Sequence, residues 1–487
     1  MYSCMPGDDH QTSGVSSCAC CRPLIQSASR RINAGLSRRG FMAGMGASLA
    51  TLGFVRRVEA EPEPATPPII FTNFRLFDGR SASLRVGLRL LVEGDRIKAI
   101  DSGEVGAPQS ARVIDCGGRT LMPGLIDAHW HTIFAGLSVS SLLSADIGYI
   151  FLAASAEAER TLMRGFTTVR DLGGPSFALK QAIDDGLARG PRIYPCGAMI
   201  TTTGGHGDLR PLSELPRRPG GPLSFLEQKG AANIADSADE VRLRVREQLL
   251  QGASQIKLVG GGGVSSPRTT LEMLTFSELE MRAGVEAAAD RNTYIALHAY
   301  PPAAIRRALA VGVQCIEHGH LMDEETAKLM ADKGVWLSTQ PFLSEEDTGR
   351  LTGQSRLNAL QMFAGTNTLY PLAKEHKIKT AFGYSDLLFS SDLTTRQGVM
   401  LTHLRRWYEN VDILRMATSV NGELLALSGP RNPYPGKLGV VEKDALADFL
   451  VVNGDPIADI ALLEKPDTNL AMIMKGGRIY KDIPKGG

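Results

Sequence analysis

Pro123-Gly124-Leu125-Ile126-Asp127-Ala128-His129-Trp130-His131 is an apolar run that ends in two histidines two residues apart. Side chains at i and i+2 of a strand share one face, so both imidazoles reach toward one point at the strand's carboxyl end. Further strand-like runs, read outward from this one, end in groups of related chemistry. Gln255-Ile256-Lys257-Leu258-Val259 carries Lys257 and opens into Gly260-Gly261-Gly262-Gly263, and Thr293-Tyr294-Ile295-Ala296-Leu297-His298 ends in His298. Gln314-Cys315-Ile316-Glu317-His318 ends in His318, and Thr380-Ala381-Phe382-Gly383-Tyr384-Ser385 leads to Asp386. The chain has nine histidines. Four of them, with Lys257 and Asp386, form an ordered set of metal-ligand candidates, and the chain reads as a metal-dependent hydrolase. A lysine ligates nothing as an ammonium, but an amine of depressed pKa adds carbon dioxide and becomes a carbamate, chemically a carboxylate able to bridge two cations.

The spacing of these runs predicts the architecture. Strand candidates end near His131, Asp171, Ala198, Lys257, His298, His318, Ser338 and Asp386. Helices are expected over 153–164, 177–188, 239–250, 277–290, 303–311 and 323–333, with capping-box signals at Ser237-x-x-Glu240 and Ser277-x-x-Glu280. Eight strands alternating with helices argue for an α/β fold of the (β/α)8 TIM-barrel type, whose chemistry gathers at the carboxyl ends of the strands. Alternating segments at 69–77, 87–100, 447–455 and 472–480 read as strands of a small β-sandwich built from both chain ends. The expected organisation is a leader over 1–60, sandwich segments over 61–120 and 431–487, and the barrel over 121–430. A Gly- and Pro-rich stretch at 201–235 interrupts the repeat as a long loop near the site.

With 487 residues, 43% hydrophobic and 22% charged, the chain has material for a large core and a smaller second domain. A formal charge of +1 gives no reason to expect nucleic acid or an acidic membrane as partner, which leaves a small molecule. Four of the seven cysteines fall in the leader; Cys116, Cys196 and Cys315 are widely separated and read as buried free thiols. Ser37-Arg38-Arg39-Gly40-Phe41-Met42, a short apolar run to Val55, and Val58-Glu59-Ala60 resemble a twin-arginine (Tat) signal with its peptidase site. Export to the periplasm is therefore expected, with a mature protein starting near Glu61 and no membrane anchor.

Together with Gly165-Phe166-Thr167-Thr168-Val169-Arg170-Asp171, Ile316-Glu317-His318-Gly319-His320 and the closing Ala447-Asp448-Phe449, these motifs give the chain a likeness to a known family. Over residues 69–481 it resembles the amidohydrolase superfamily, in the branch of Xaa-Pro dipeptidases, imidazolonepropionase-like and ochratoxinase-like enzymes. The resemblance implies a binuclear site, usually zinc: His129, His131 and Asp386 on one ion, His298 and His318 on the other, and carbamylated Lys257 between them. It also implies that Asp386 is the general base that takes a proton from the attacking water and passes it to the leaving amine. Strand eight departs from the family's Gly-Thr-Asp or Gly-Ser-Asp by one added residue, so Asp392 stands as the alternative to Asp386. The glycines after Lys257 either open the pocket and offer backbone N–H groups to a substrate carboxylate or form a flexible loop.

Tyr300, two residues past His298, is a candidate oxyanion donor, with a plain core tyrosine as the alternative. His206 matches a family position near the substrate, against a surface-loop histidine. His320, two residues past a strand-end histidine, reads as a neighbour of the ligands or as solvent-facing, with a spare ligand as the alternative. The leading expectation is cleavage of an amide in N-acyl amino acids or dipeptides with a free carboxylate, either prolidase-like or on ochratoxin-type phenylalanine amides. The alternatives are cyclic-amide or imidazolone hydrolysis, deamination, for which His298-Ala299-Tyr300-Pro301 lacks the usual His-x-x-Glu, and a non-catalytic scaffold. Relatives in this branch often form symmetric oligomers, octamers among them, so a homo-oligomer is expected.

Overall fold

The computed structural model describes residues 67–106, 108–216, 221–385 and 391–482. The strands, in chain order, are β1 (Ile69–Thr72), β2 (Arg75–Leu76), β3 (Arg89–Glu93), β4 (Arg96–Asp101), β5 (Arg112–Asp115), β6 (Thr120–Pro123), β7 (Leu125–Trp130), β8 (Phe166–Asp171), β9 (Arg192–Tyr194) and β10 (Met199–Thr201). They continue as β11 (Ala232–Ile234), β12 (Ile256–Val259), β13 (Ile295–Ala299), β14 (Cys315–His318), β15 (Trp336–Thr339), β16 (Thr380–Phe382), β17 (Phe449–Val452), β18 (Leu470–Lys475) and β19 (Arg478–Lys481).

The central part is an α/β fold. β7, β8 and β9 form one parallel sheet, and β11-β10-β12-β13-β14-β15-β16 form another, parallel at every pairing. Every residue of β12 to β16 is buried, which explains their near-continuous apolar sequences: strands covered on both faces cannot alternate. Backbone hydrogen bonds link the two sheets at both edges of the three-stranded one, from Ser385 N, past β16, to His129 O (2.8 Å) and from Ser254 N, before the interior strand β12, to Pro195 O (2.8 Å).

Five of the six expected helices begin within a residue of the expected start, whereas the one expected from 153 begins at Ile147. In Glu278–Ala289 both halves of the Ser277/Glu280 capping box form. In Ala238–Gln251 the Ser237 side chain accepts from Glu240 N, whereas the Glu240 carboxylate accepts from Asp236 N instead of closing the box. Three expectations are corrected. The third strand ends at Tyr194, four residues before Ala198, and Met199–Thr201 forms a separate strand. The 201–235 stretch is not all loop, since it holds the helix Phe225–Gln228 and β11. Lys257 is the second residue of β12, not its last.

The sequences at the two chain ends build β4-β3-β1-β5 and β19-β18-β17-β6-β2. They share one apolar core, in which the Phe71 and Phe449 rings meet edge to face at 5.0 Å. β6 runs directly into β7 past Gly124, where a side chain would strike Thr167 Oγ1. The leader over 1–60 lies outside the described residues.

Candidate active site

Strand ends bring the predicted side chains together. His129 lies in β7 and His131 just beyond it, His298 lies in β13, and His318 closes β14. In register, His298 faces Val259 while Lys257 faces Ala296, so the lysine sits two residues deeper than the imidazoles. Ring centroids lie 5.4 Å apart for His129 and His131, 4.8 Å for His129 and His318, and 4.4 Å for His298 and His318. With Lys257, Tyr300, His206 and Ser385 they line one cavity, about 550 Å³ together with the open space at its mouth. His318 and Ser385 both adopt left-handed backbone, at φ 74° and 50°, a conformation disfavoured for residues with a side chain and common at functional sites.

Hydrogen bonds orient each ring. His129 Nδ1 lies 2.8 Å from Glu317 Oε2, and the other Glu317 oxygen receives Arg170 Nη2 at 2.6 Å. Arg170, fully buried, also donates through Nε to Ala128 O at 2.6 Å. His318 Nδ1 donates to Gln340 Oε1 and His298 Nε2 donates to Gly262 O, each at 2.8 Å. His131 Nδ1 is 3.4 Å from Gly173 O. A ring nitrogen that donates to a carboxylate or carbonyl leaves the lone pair on the other nitrogen. The lone pair therefore lies on Nε2 of His129 and His318 and on Nδ1 of His298.

Burial keeps these imidazoles neutral. Desolvation lowers all four pKa values, that of His131 to about 3, and the nearby Lys257 charge lowers them further. Lys257 is 1% exposed, and its Nζ has no hydrogen-bond partner among the described residues. Desolvation pulls its pKa down to about 8, against the opposing pull of Glu317. Among the described residues no three His, Cys, Asp or Glu side chains by themselves form a metal-holding group. The donors that suit divalent ions here are neutral imidazoles, with the unpartnered Lys257 amine available for conversion to a carboxylate-like ligand. On that chemistry the set fits a metal centre.

The remaining candidates divide. Tyr300 is buried, its ring stacks on His318 at 5.1 Å, and its hydroxyl has no partner among the described residues. His206 stacks on His298 at 4.5 Å with Nδ1 2.7 Å from Ser266 Oγ, so it is a pocket residue rather than a surface one. His320 does not face solvent: it is buried, and its Nε2 donates to Gln340 O at 2.9 Å. Asp386 lies outside the described residues, though Ser385 before it lines the cavity. Asp392 is exposed on the short helix Ser391–Thr394.

The glycine run is a packed seam, since side chains at Gly262 and Gly263 would strike Thr270 O and the His206 ring. Gly260 N and Gly263 N are already spent on His298 O and Thr269 Oγ1. Sequence reasoning missed Arg170, Glu317 and Gln340. Opposite charges inside two fully buried strands, Phe166–Asp171 and Cys315–His318, were the signal for the first two.

Parallel strands that end in neutral imidazoles around a buried lysine define a hydrolase-type centre of an α/β enzyme. The sequence model of the amidohydrolase family matches residues 120–480, and the chain belongs to that family. Its members generally bind metal, often through a carbamylated lysine. Ochratoxinase of Aspergillus niger is 29% identical over 488 aligned positions, covering 94% of this chain and 96% of that protein. The crystal structure of an amidohydrolase superposes with a TM-score of 0.78 at 33% identity, covering 85% of this chain and 99% of the other. That of a prolidase complexed with N-methylphosphonate-L-proline superposes at 0.77 and 30% identity, covering 85% and 100%.

Proposed function

We propose that this chain is a binuclear, zinc-dependent amide hydrolase acting on N-acyl amino acids or dipeptides with a free carboxylate. The observation that carries the reading is the buried, unpartnered Lys257 amine beneath four neutral imidazoles. A buried ammonium without a partner is costly, whereas a carbamate at the same place is stabilised by bound cations. His129, His131 and Asp386 would hold one ion, His298 and His318 the other, and carbamylated Lys257 would join them. The ions supply a water acidic enough to lose its proton near neutral pH and polarisation of the substrate carbonyl.

The residues of the chain do the rest. Asp386 takes the proton of the attacking water and returns it to the leaving amine. Burial holds the Tyr300 hydroxyl protonated, well above its ordinary pKa, so it stays a donor for the developing oxyanion. His206, stacked on His298, faces the substrate from the loop after β10.

Further features belong to the same reading. The two parallel sheets are read as one (β/α)8 barrel over 121–430, joined through the hydrogen bonds at Ser385 and Ser254, and the two terminal sheets as a β-sandwich. Tat-dependent export and a homo-oligomer remain part of the proposal, motivated by the twin arginines and the family likeness. The prolidase and ochratoxinase likenesses support amides of amino acids over deamination. Zinc-loaded protein should release amino acid from at least one of N-acylated phenylalanine, an ochratoxin-type amide and a set of Xaa-Pro dipeptides. No release across that panel sinks the substrate assignment.

A further inference from the structure

A second cavity adjoins the first. Together with the open space at its mouth it encloses about 610 Å³. Met199, Gly207 and Leu209 belong to the walls of both. The second cavity differs in chemistry: Lys229 is the only polar side chain among its described lining residues, and its ammonium lies 5.1 Å over the Phe225 ring. The walls come from the helix Val139–Ser144, through Val139 and Leu142, and from the start of Ile147–Met163, through Ile147 and Ile150. Phe134 ties the wall to the chemistry, its ring stacking on His131 at a centroid distance of 6.1 Å. Met199, a flexible thioether, stands where the two spaces meet and yields to differently shaped groups.

A carbonyl held among the imidazoles thus has an apolar chamber within one substituent's reach, and a charged group placed there would lose its water for a single lysine already engaged with a ring. From this we infer that the chamber behind Met199 and Leu209 is a specificity subsite taking an aromatic or branched aliphatic substituent of the amide substrate. The inference rests on the amide-hydrolase reading and adds the substrate class. A substrate's free carboxylate is held outside this chamber. Shape filling in such pockets discriminates by about 10–200-fold per methylene.

The test uses full-length metal-loaded protein and two variants of wall residues that do not line the first cavity, Val139→Trp, which fills the chamber, and Leu142→Asp, which charges it. Values of kcat/KM are compared for N-acetyl-L-phenylalanine against N-acetylglycine, and for N-benzoylglycine against N-acetylglycine, so that the bulky group is offered on either side of the amide. The wild-type protein should prefer the bulky member of at least one pair, and each variant should cut that preference tenfold or more. A preference kept within twofold in both variants, with unchanged circular dichroism, overturns the subsite. Leu142→Ala replaces either variant that fails to fold.

A saturation-transfer NMR measurement with N-acetyl-L-phenylalanine and metal-free protein separates the two ideas. Binding of the phenyl group by the wild type that Leu142→Asp abolishes keeps the subsite even if no amide is cleaved. No binding to the wild type, with no bulky preference, overturns it.

Discussion

Glu317 bridges His129 and Arg170, with one carboxylate oxygen 2.8 Å from the imidazole Nδ1 and the other 2.6 Å from the guanidinium, and all three side chains are buried. A carboxylate on Nδ1 holds the ring in one tautomer and aims Nε2 at the pocket. Glu317→Gln keeps the shape but removes the charge that balances Arg170. Loss of such a partner typically costs 10–100-fold in metal affinity. A competitive chelator titration should show a loss of that size with kcat at saturating metal affected less. Unchanged affinity would make the bridge purely structural.

Tyr300→Phe removes the buried hydroxyl and leaves the ring stacked on His318. With an oxyanion donor gone, kcat should fall by about 10²-fold at nearly constant KM. Equal turnover on a good substrate would return Tyr300 to a packing role.

Gly383 lies against the strand that carries His129: a Cβ there would sit 2.5 Å from His129 Cβ and 2.7 Å from His129 N. Gly383→Ala forces β7 and β16 apart, at an overpacking cost of about 1–3 kcal/mol. Urea unfolding should show that loss, with metal affinity falling alongside. A neutral result would mean the strands separate freely at this point.

The seam between the terminal strands and the helical layer gives a pH prediction. Lys475 Nζ donates to Gly190 O at 2.6 Å, and desolvation lowers its pKa from 10.5 to about 8. Between those values the unfolded chain binds more protons than the folded one, so stability rises with pH through this window. Lys475→Met should flatten that rise in denaturant midpoints measured from pH 8 to 10.5. An unchanged slope would place the charge in water.

Much of the site was legible because its chemistry sits at strand ends. The His-x-His pair, Lys257, His298 and His318 each end or punctuate an apolar run, and period and position suffice to find them. The hydrogen bonds that aim the rings were not, since Arg170 meets Glu317 across 147 residues of sequence and Gln340 comes from just past the end of β15. The helix Gly353–Glu375 was missed because Gly365 and Pro371 weaken its signal. Tertiary packing demands that glycine, whose Cβ would strike His320 O.

The glycines after Lys257 misled for the same reason. The sequence alone offers either an opened pocket with backbone N–H groups for a carboxylate or a flexible loop, whereas Gly262 and Gly263 are there because Thr270 and His206 leave no room for a side chain.

The most direct test of the central claim is the metal content of purified protein and of Lys257→Met, measured by mass spectrometry of the elements, alongside 13C NMR after labelled bicarbonate. The account predicts about two zinc ions per chain and a carbamate resonance in the wild-type protein, and loss of the resonance and of bound zinc in the variant. Equal metal content in both proteins with no carbamate signal would contradict it and leave Lys257 a structural lysine.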